Sequence, residues 1–292
     1  MQAIEDLRRL QAGAKDLLQV VRTMRAIAVA SVREFQLAED ALALYESAVA
    51  QGLALALSER VSAASTISAR APSDAAAPLG IVALGSDHGL VGRYNETLAQ
   101  HVRELVSAHA NVRLIVLGAR LAARLDDLAP RPEAEWSMPR TAHATPACAG
   151  DVLLAIEEWQ RQGVDDVMLV YNVWTPTGGY APLDQQLLPL DLSALTAEHP
   201  WPRRTRPLIL GDREAVADEL LEQFLSTAVS RALTRSLLAE NEARLAATRG
   251  AEHNIEERID ELRRQYRHAY QGAETEELLD VVAGFEAITR GR

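Results

Sequence analysis

Ser86, Asp87 and His88 place the three residue types of a hydrolase triad side by side. Neighbours in one turn cannot converge on a shared proton path, and no nucleophile-elbow pattern surrounds the serine. The same residues lie in the loop Gly85-Ser86-Asp87-His88-Gly89-Leu90-Val91-Gly92, between an apolar run and a helical stretch. A Rossmann-like protein cradles pyrophosphate at such a junction. Here the glycine spacing fits neither the dinucleotide fingerprint nor the P-loop, no lysine follows, and Asp87 would repel a phosphate. Gly85, Gly89 and Gly92 therefore read as a structural loop that lets a strand meet its helix closely. His101, His109, His143, His199, His253 and His268 show no metal-ligand spacing and read as surface or helix-face residues. Cys148 is the only cysteine, which excludes an internal disulfide and a cysteine metal cluster. It reads as an inert thiol. The carboxylate pairs Asp126–Asp127 and Asp165–Asp166 fall at element edges, where such pairs are solvated. No catalytic, metal or cofactor site is expected, so function must lie in shape.

The shape is announced by proline. All 12 prolines fall from Pro72 to Pro207, leaving both ends clear of a residue that breaks helices. In the first arm, alternating steps of three and four from Ala14 give Leu17, Val21, Met24, Ala28, Ser31, Phe35, Ala38, Leu42, Tyr45 and Val49. Only Ser31 is polar. The last arm repeats the pattern with Ile255, Ile259, Leu262, Tyr266, Ala269 and Ala273. Such spacing makes a coiled-coil seam. A single helix from Asp212 to Ile288 would span about 115 Å, with Asp212 as its N-cap and Glu214 in its first turn.

Between the arms the period changes. The apolar runs 79–85, 113–118 and 166–172 alternate with helical stretches at 94–108 and 151–162, which predicts a parallel sheet with crossover helices. A weaker strand is expected at 185–190, and proline-rich loops at 128–150 and 197–207. The fold class is thus mixed: a long antiparallel coiled coil of N- and C-terminal helices around a Rossmann-like α/β domain. The expected divisions are 1–60, 61–210 and 211–292.

A net charge of −11 argues against a nucleic-acid protein. Of 30 basic residues only Lys15 is lysine, and arginine suits fixed contacts with carboxylates. Glu5, Asp6, Arg8 and Arg9 precede any apolar run, so no signal peptide is expected. No segment has the length and apolarity of a membrane span. A soluble, cytoplasmic chain is the expectation.

Four stretches, in this order and on this layout, resemble the gamma subunit of F-type ATP synthases across essentially the whole chain. They are Val21-Arg22-Thr23-Met24-Arg25-Ala26-Ile27-Ala28; Ser86 to Asn95; Glu240-Asn241-Glu242-Ala243-Arg244-Leu245-Ala246-Ala247 with Asn254; and Tyr266, Ala269-Tyr270-Gln271, Thr275, Glu277 and Val282-Ala283-Gly284. Departures from the family pattern are Val91 for a cysteine, Leu245 and Thr248 for methionines, and Arg267, Tyr270 and Glu274 near the end. They suggest a divergent branch. The resemblance implies a non-catalytic central rotor shaft that couples proton or sodium flow to ATP synthesis or hydrolysis. The implied partners are the alpha and beta subunits, an epsilon subunit and the membrane c-ring, at the cytoplasmic face of a bacterial cell membrane. It implies no cofactor. Arg22, Arg25, Arg33 and Arg244 are then candidates to grip acidic loops of a partner, and Gln271 and Glu277 candidates nearer the upper bearing. Met24 reads as seam packing by its spacing, and the resemblance adds it to the partner-facing set. Two other readings fit the same elements. One is a nucleotide-binding α/β enzyme with coiled-coil dimerisation arms, the other a free-standing coiled-coil adaptor.

Overall fold

The two proline-free ends fold as single helices, α1 (Gln2–Ala63) and, at the other end, Arg213–Arg290. The second starts where Asp212 Oδ1 accepts the amide of Glu214 at 3.2 Å, the N-cap that its sequence predicts. A computed structural model describes residues 2–63, 77–175, 178–191, 195 and 208–290. The expected loop at 197–207 lies outside the described residues. Between the long helices come β1 (Leu79–Leu84), α2 (Tyr94–Ala108), β2 (Val112–Leu117), α3 (Ala119–Ala122), β3 (Ala134–Trp136), a 3-10 turn (Ala142–Ala144), α4 (Thr145–Arg161), β4 (Asp166–Trp174) and β5 (Tyr180–Leu188). The C-terminal helix is α5.

The five strands form one sheet in the order β3-β2-β1-β4-β5. The first four run parallel, and β5 returns antiparallel to β4. The expected all-parallel sheet is thus mixed. The strand expected at 185–190 is β5, which begins earlier and carries Pro182 opposite Asn172. A proline lacks the amide a ladder needs, and an edge strand tolerates it. The stretch 128–150 is not simply a loop, since β3, the 3-10 turn and the start of α4 lie inside it. Pro146 falls in the first turn of α4, where its missing amide costs nothing.

Every residue of β1 is buried, as expected of a central strand covered on both faces. On one face Ile81, Ala83, Leu114 and Val116 pack against Leu98 and Val102 of α2 and Leu121 and Leu125 beside α3. On the other, Val82, Leu84, Ile115 and Leu169 pack against Val152, Ile156 and Trp159 of α4. Phe35 of α1 and Val229, Ala232 and Leu233 of α5 join this second face.

The chain divides into two compact units. One is Ala28–Arg244, which holds the sheet. Within it α1 and α5 run antiparallel: Arg231 and Arg235 pair with Glu39 at 2.9 Å, Arg231 also pairs with Glu46, and Arg213 donates to the carbonyls of Leu55 and Ala56 at 3.0 Å. The other unit is Met1–Ile27 with Leu245–Arg292. There Val21, Thr248, Ile259 and Leu262 are buried, and Arg22 and Arg25 bond Glu252 and Glu256.

The seam on α1 differs in phase from the spacing read in sequence. Leu17, Met24 and Tyr45 are exposed, at 52%, 38% and 49%. Leu18 and Arg25 are the half-buried positions between Ala14, Val21 and Ala28. Taking the four-residue step before the three-residue step moves alternate knobs by one position, or about 100° around a helix of 3.6 residues per turn. The corrected stripe turns Leu17 and Met24 to its flank.

Candidate functional site

The glycine loop after β1 is anchored at its start, by Ser86 and Asp87. Ser86 is fully buried; its amide donates to Asn95 Oδ1 at 3.1 Å, and Asn95 Nδ2 donates to its Oγ at 2.8 Å. That hydroxyl donates in turn to the carbonyl of His88 at 3.1 Å. The His88 side chain is exposed. Asp87 accepts the amide of Ala119 on one oxygen and that of Met138 on the other, both at 2.9 Å. It staples β1 to the segments that follow β2 and β3. Serine, aspartate and histidine are thus occupied separately, with no nucleophile–base contact among them. Among the described residues no group of His, Cys, Asp and Glu has the arrangement of a metal site. Cys148 is half-buried, and burial pushes its thiol up to about 11, far from the thiolate a nucleophile needs.

The three loop glycines have distinct surroundings. A Cβ on Gly85 would meet Leu121 Cβ at 2.3 Å, so the close approach is to α3. Gly92 has a positive φ of 61°, and Gly89 faces only the end of Arg120 at 4.0 Å. Leu90, at the exposed tip, also has φ 61°, a left-handed conformation uncommon for a non-glycine residue. Val91, where the family pattern has a cysteine, is buried with Tyr94, Ala239 and Ala243.

Helix α5 is buttoned to this loop by two buried polar contacts. Tyr94 donates its hydroxyl to the carbonyl of Ser236 at 3.0 Å, and Ser236 Oγ donates to the carbonyl of Leu84 at 3.1 Å. Burial raises the Tyr94 phenol far above its ordinary value. One turn on, Glu240 is buried and pairs with Arg244 at 2.5 Å. Arg244 also reaches Asn241 Oδ1 at 3.1 Å and the carbonyl of Gly89 at 3.4 Å. Desolvation pushes the Glu240 carboxyl above its usual range, while Arg244 pulls the other way and Asp87 adds repulsion.

The residues expected to meet a partner therefore fall into two groups. Arg22, Arg25 and Arg244 are engaged inside the chain. Met24, Arg33, Gln271 and Glu277 are exposed. Arg22, Met24, Arg25, Gln271 and Glu277 belong to one unit, and Arg33 and Arg244 to the other. Sequence reading missed Glu252 and Glu240, the carboxylates that hold these arginines. Glu240 had a signal, four residues before Arg244 on one helix face. Glu252 had none short of the register between α1 and α5. Also unread was the exposed apolar end of α5, with Leu278, Leu279, Val281 and Val282 each more than half exposed.

Known proteins share this arrangement. The family model described as ATP synthase matches residues 3–288. The ATP synthase gamma chain of Heliobacterium modesticaldum is 27% identical over 231 residues, covering 77% of this chain and 78% of that protein. A cryo-EM structure of the Euglena gracilis mitochondrial ATP synthase (OSCP/F1/c-ring, rotational state 3) contains a chain of the same fold, with a TM-score of 0.68 and 17% identity over 99% of this chain and 96% of that one. The central stalk and c-ring structure from Tetrahymena thermophila mitochondria contains another, with a TM-score of 0.60 and 19% identity over 80% and 99%. No helix among the described residues is long and apolar enough to cross a membrane. A pair of long helices flanking one small sheet domain, matched over nearly its whole length, places this chain in the ATP synthase gamma-subunit family.

Proposed function

We propose that the chain is the central rotor shaft of an F-type ATP synthase or ATPase. The observation that carries this reading is the pair of helices of 62 and 78 residues, ion-paired antiparallel within each unit, on a chain that belongs to the gamma-subunit family. A shaft transmits torque without bond chemistry. It needs stiffness, which paired helices supply, and a surface that differs around its axis. The non-catalytic role is supported by the loop chemistry, since Ser86 and Asp87 are spent on hydrogen bonds to Asn95 of α2 and to the amides of Ala119 and Met138.

The partners we infer are a ring of alpha and beta subunits around the paired helices, and an epsilon subunit and the c-ring against the sheet domain. Support comes from the related structures, described as a central stalk with a c-ring and as an F1 with a c-ring. In this reading residues 1–60 and 211–292 form the shaft, and 61–210 the foot. The exposed Met24, Arg33, Gln271 and Glu277 face partners, while Gly85, Gly89 and Gly92 shape the loop. The complex would sit at the cytoplasmic face of a bacterial cell membrane, held there by its partners. The test is a gentle pull-down of the tagged chain from its own membranes, with partners identified and counted. One copy of the chain with an alpha–beta hexamer supports the shaft. A homodimer alone supports an adaptor, and saturable ATP binding by the isolated chain supports an enzyme.

A further inference from the structure

Glu252 occupies a place on α5 where a coiled coil takes an apolar knob. It is only 9% exposed, between the buried Thr248 and Ile259. A carboxylate withdrawn from water is costly unless paired and hydrogen-bonded. Both of its oxygens are taken by α1: Arg22 Nε donates to Oε1 at 2.8 Å, and Arg25 Nη1 meets Oε2 at 2.7 Å. Arg22 reaches on through Nη2 to Glu256 Oε1 at 2.6 Å. The hydrogen bond to Glu252 is the largest of the effects that raise the Arg22 guanidinium further above its ordinary value. Two cations and two anions close the set. The carboxylate is its centre, with 12% of its side chain exposed against 47% and 42% for the arginines.

The unit that holds the sheet has a set of opposite polarity. There α1 supplies the acids Glu39 and Glu46, and α5 the bases Arg231 and Arg235. Along each helix, from N- to C-terminus, bases come first and acids second. Antiparallel pairing therefore sets unlike charges opposite each other. Parallel pairing would set Arg22 and Arg25 near Arg231 and Arg235, with Glu39 and Glu46 near Glu252 and Glu256. Charge position is a known way to fix partner orientation and register in paired helices.

We propose that Arg22, Glu252, Arg25 and Glu256 form an internal clasp that fixes the alignment of α1 against α5 in the terminal unit. Arg22 and Arg25 thus act within the chain, as positioning residues, and not as the grip on a partner. The clasp is a property of the isolated chain and stands apart from the motor reading.

The test uses the full chain with Cys148→Ala and nitroxide labels at Gln19→Cys and Asp260→Cys, whose parent residues line one groove between α1 and α5. Pulsed dipolar EPR gives the distance distribution between the labels. The parent gives a single narrow peak. Glu252→Arg broadens it severalfold, and the milder Glu252→Gln broadens it less. Reversal of all four charges (Arg22→Glu, Arg25→Glu, Glu252→Arg, Glu256→Arg) restores the narrow peak. A narrow peak in the Glu252 variants overturns the proposal. So does a four-fold reversal that fails to recover it, whether by a broad distribution or by loss of folding.

Discussion

A Cβ added at Gly85 would lie 2.3 Å from Leu121 Cβ and 2.9 Å from Leu121 Cδ2. The nearer atom is fixed to the α3 backbone, so no rotamer change relieves the contact, and β1 or α3 must shift. Overpacking in a filled core costs about 1–3 kcal/mol, and an anchored clash belongs at the upper end. For a unit of this size, about 3 kcal/mol lowers the melting temperature by about 6–12 °C. Two companions separate the causes. Gly92→Ala has room, its nearest neighbour being Tyr180 Oη at 3.8 Å, but must hold φ at 61°. That conformation costs an L-residue about 1–2 kcal/mol. Gly89→Ala meets only Arg120 at 4.0 Å, and a change of that kind stays within about 0.5 kcal/mol. Thermal unfolding of the full chain, followed by far-UV circular dichroism, should rank the variants Gly85, Gly92, Gly89 in falling order of damage. A Gly85→Ala protein that melts with the parent, or a Gly89→Ala protein that melts below it, refutes the steric account of the loop.

Tyr94→Phe removes a hydroxyl whose partner, the Ser236 carbonyl, stays buried, and should lower stability by about 1–2 kcal/mol in urea titration. Phe35→Ala empties a site only 2% exposed where α1 meets the sheet domain, and should cost about 3–5 kcal/mol by the same assay. Arg113 holds the Glu133 carboxyl below its ordinary range, burial opposes it, and Trp159 assists by donating its indole N–H. The folded pKa lies below the unfolded one. This contribution is therefore complete above the unfolded value and lost as pH falls through the folded value. Urea midpoints across the acid range should show Glu133→Gln with a shallower acid loss than the parent, and parallel curves would contradict the pairing.

The long helices were legible because no proline interrupts them and their apolar residues keep a helical period. The core strands were legible because β1, β2 and β4 are short apolar runs buried on both faces. What sequence hid was pairing. Strand β3 is three residues long in a segment rich in proline and alanine, too short to carry a period. Strand β5 extends back from the expected 185–190 through Pro182, a residue that a strand accepts only at a sheet edge, and the edge position is set by pairing with β4. The phase of the α1 seam failed for a related reason. Leu17 and Leu18 are adjacent leucines, and only the partner helix decides which one is covered. The fates of Arg22 and Arg25 were hidden behind some 230 residues of chain separating them from Glu252. Arginines on a helix look alike whether they face a partner protein or the other end of their own chain.

The central claim is that this chain turns. Its direct test is to assemble it with alpha and beta subunits, fix the ring to a surface, and attach a bead to the sheet domain. On addition of ATP the proposed role predicts sustained rotation in one direction. ATP hydrolysis by the assembled ring, with the bead stationary or moving at random, would contradict it.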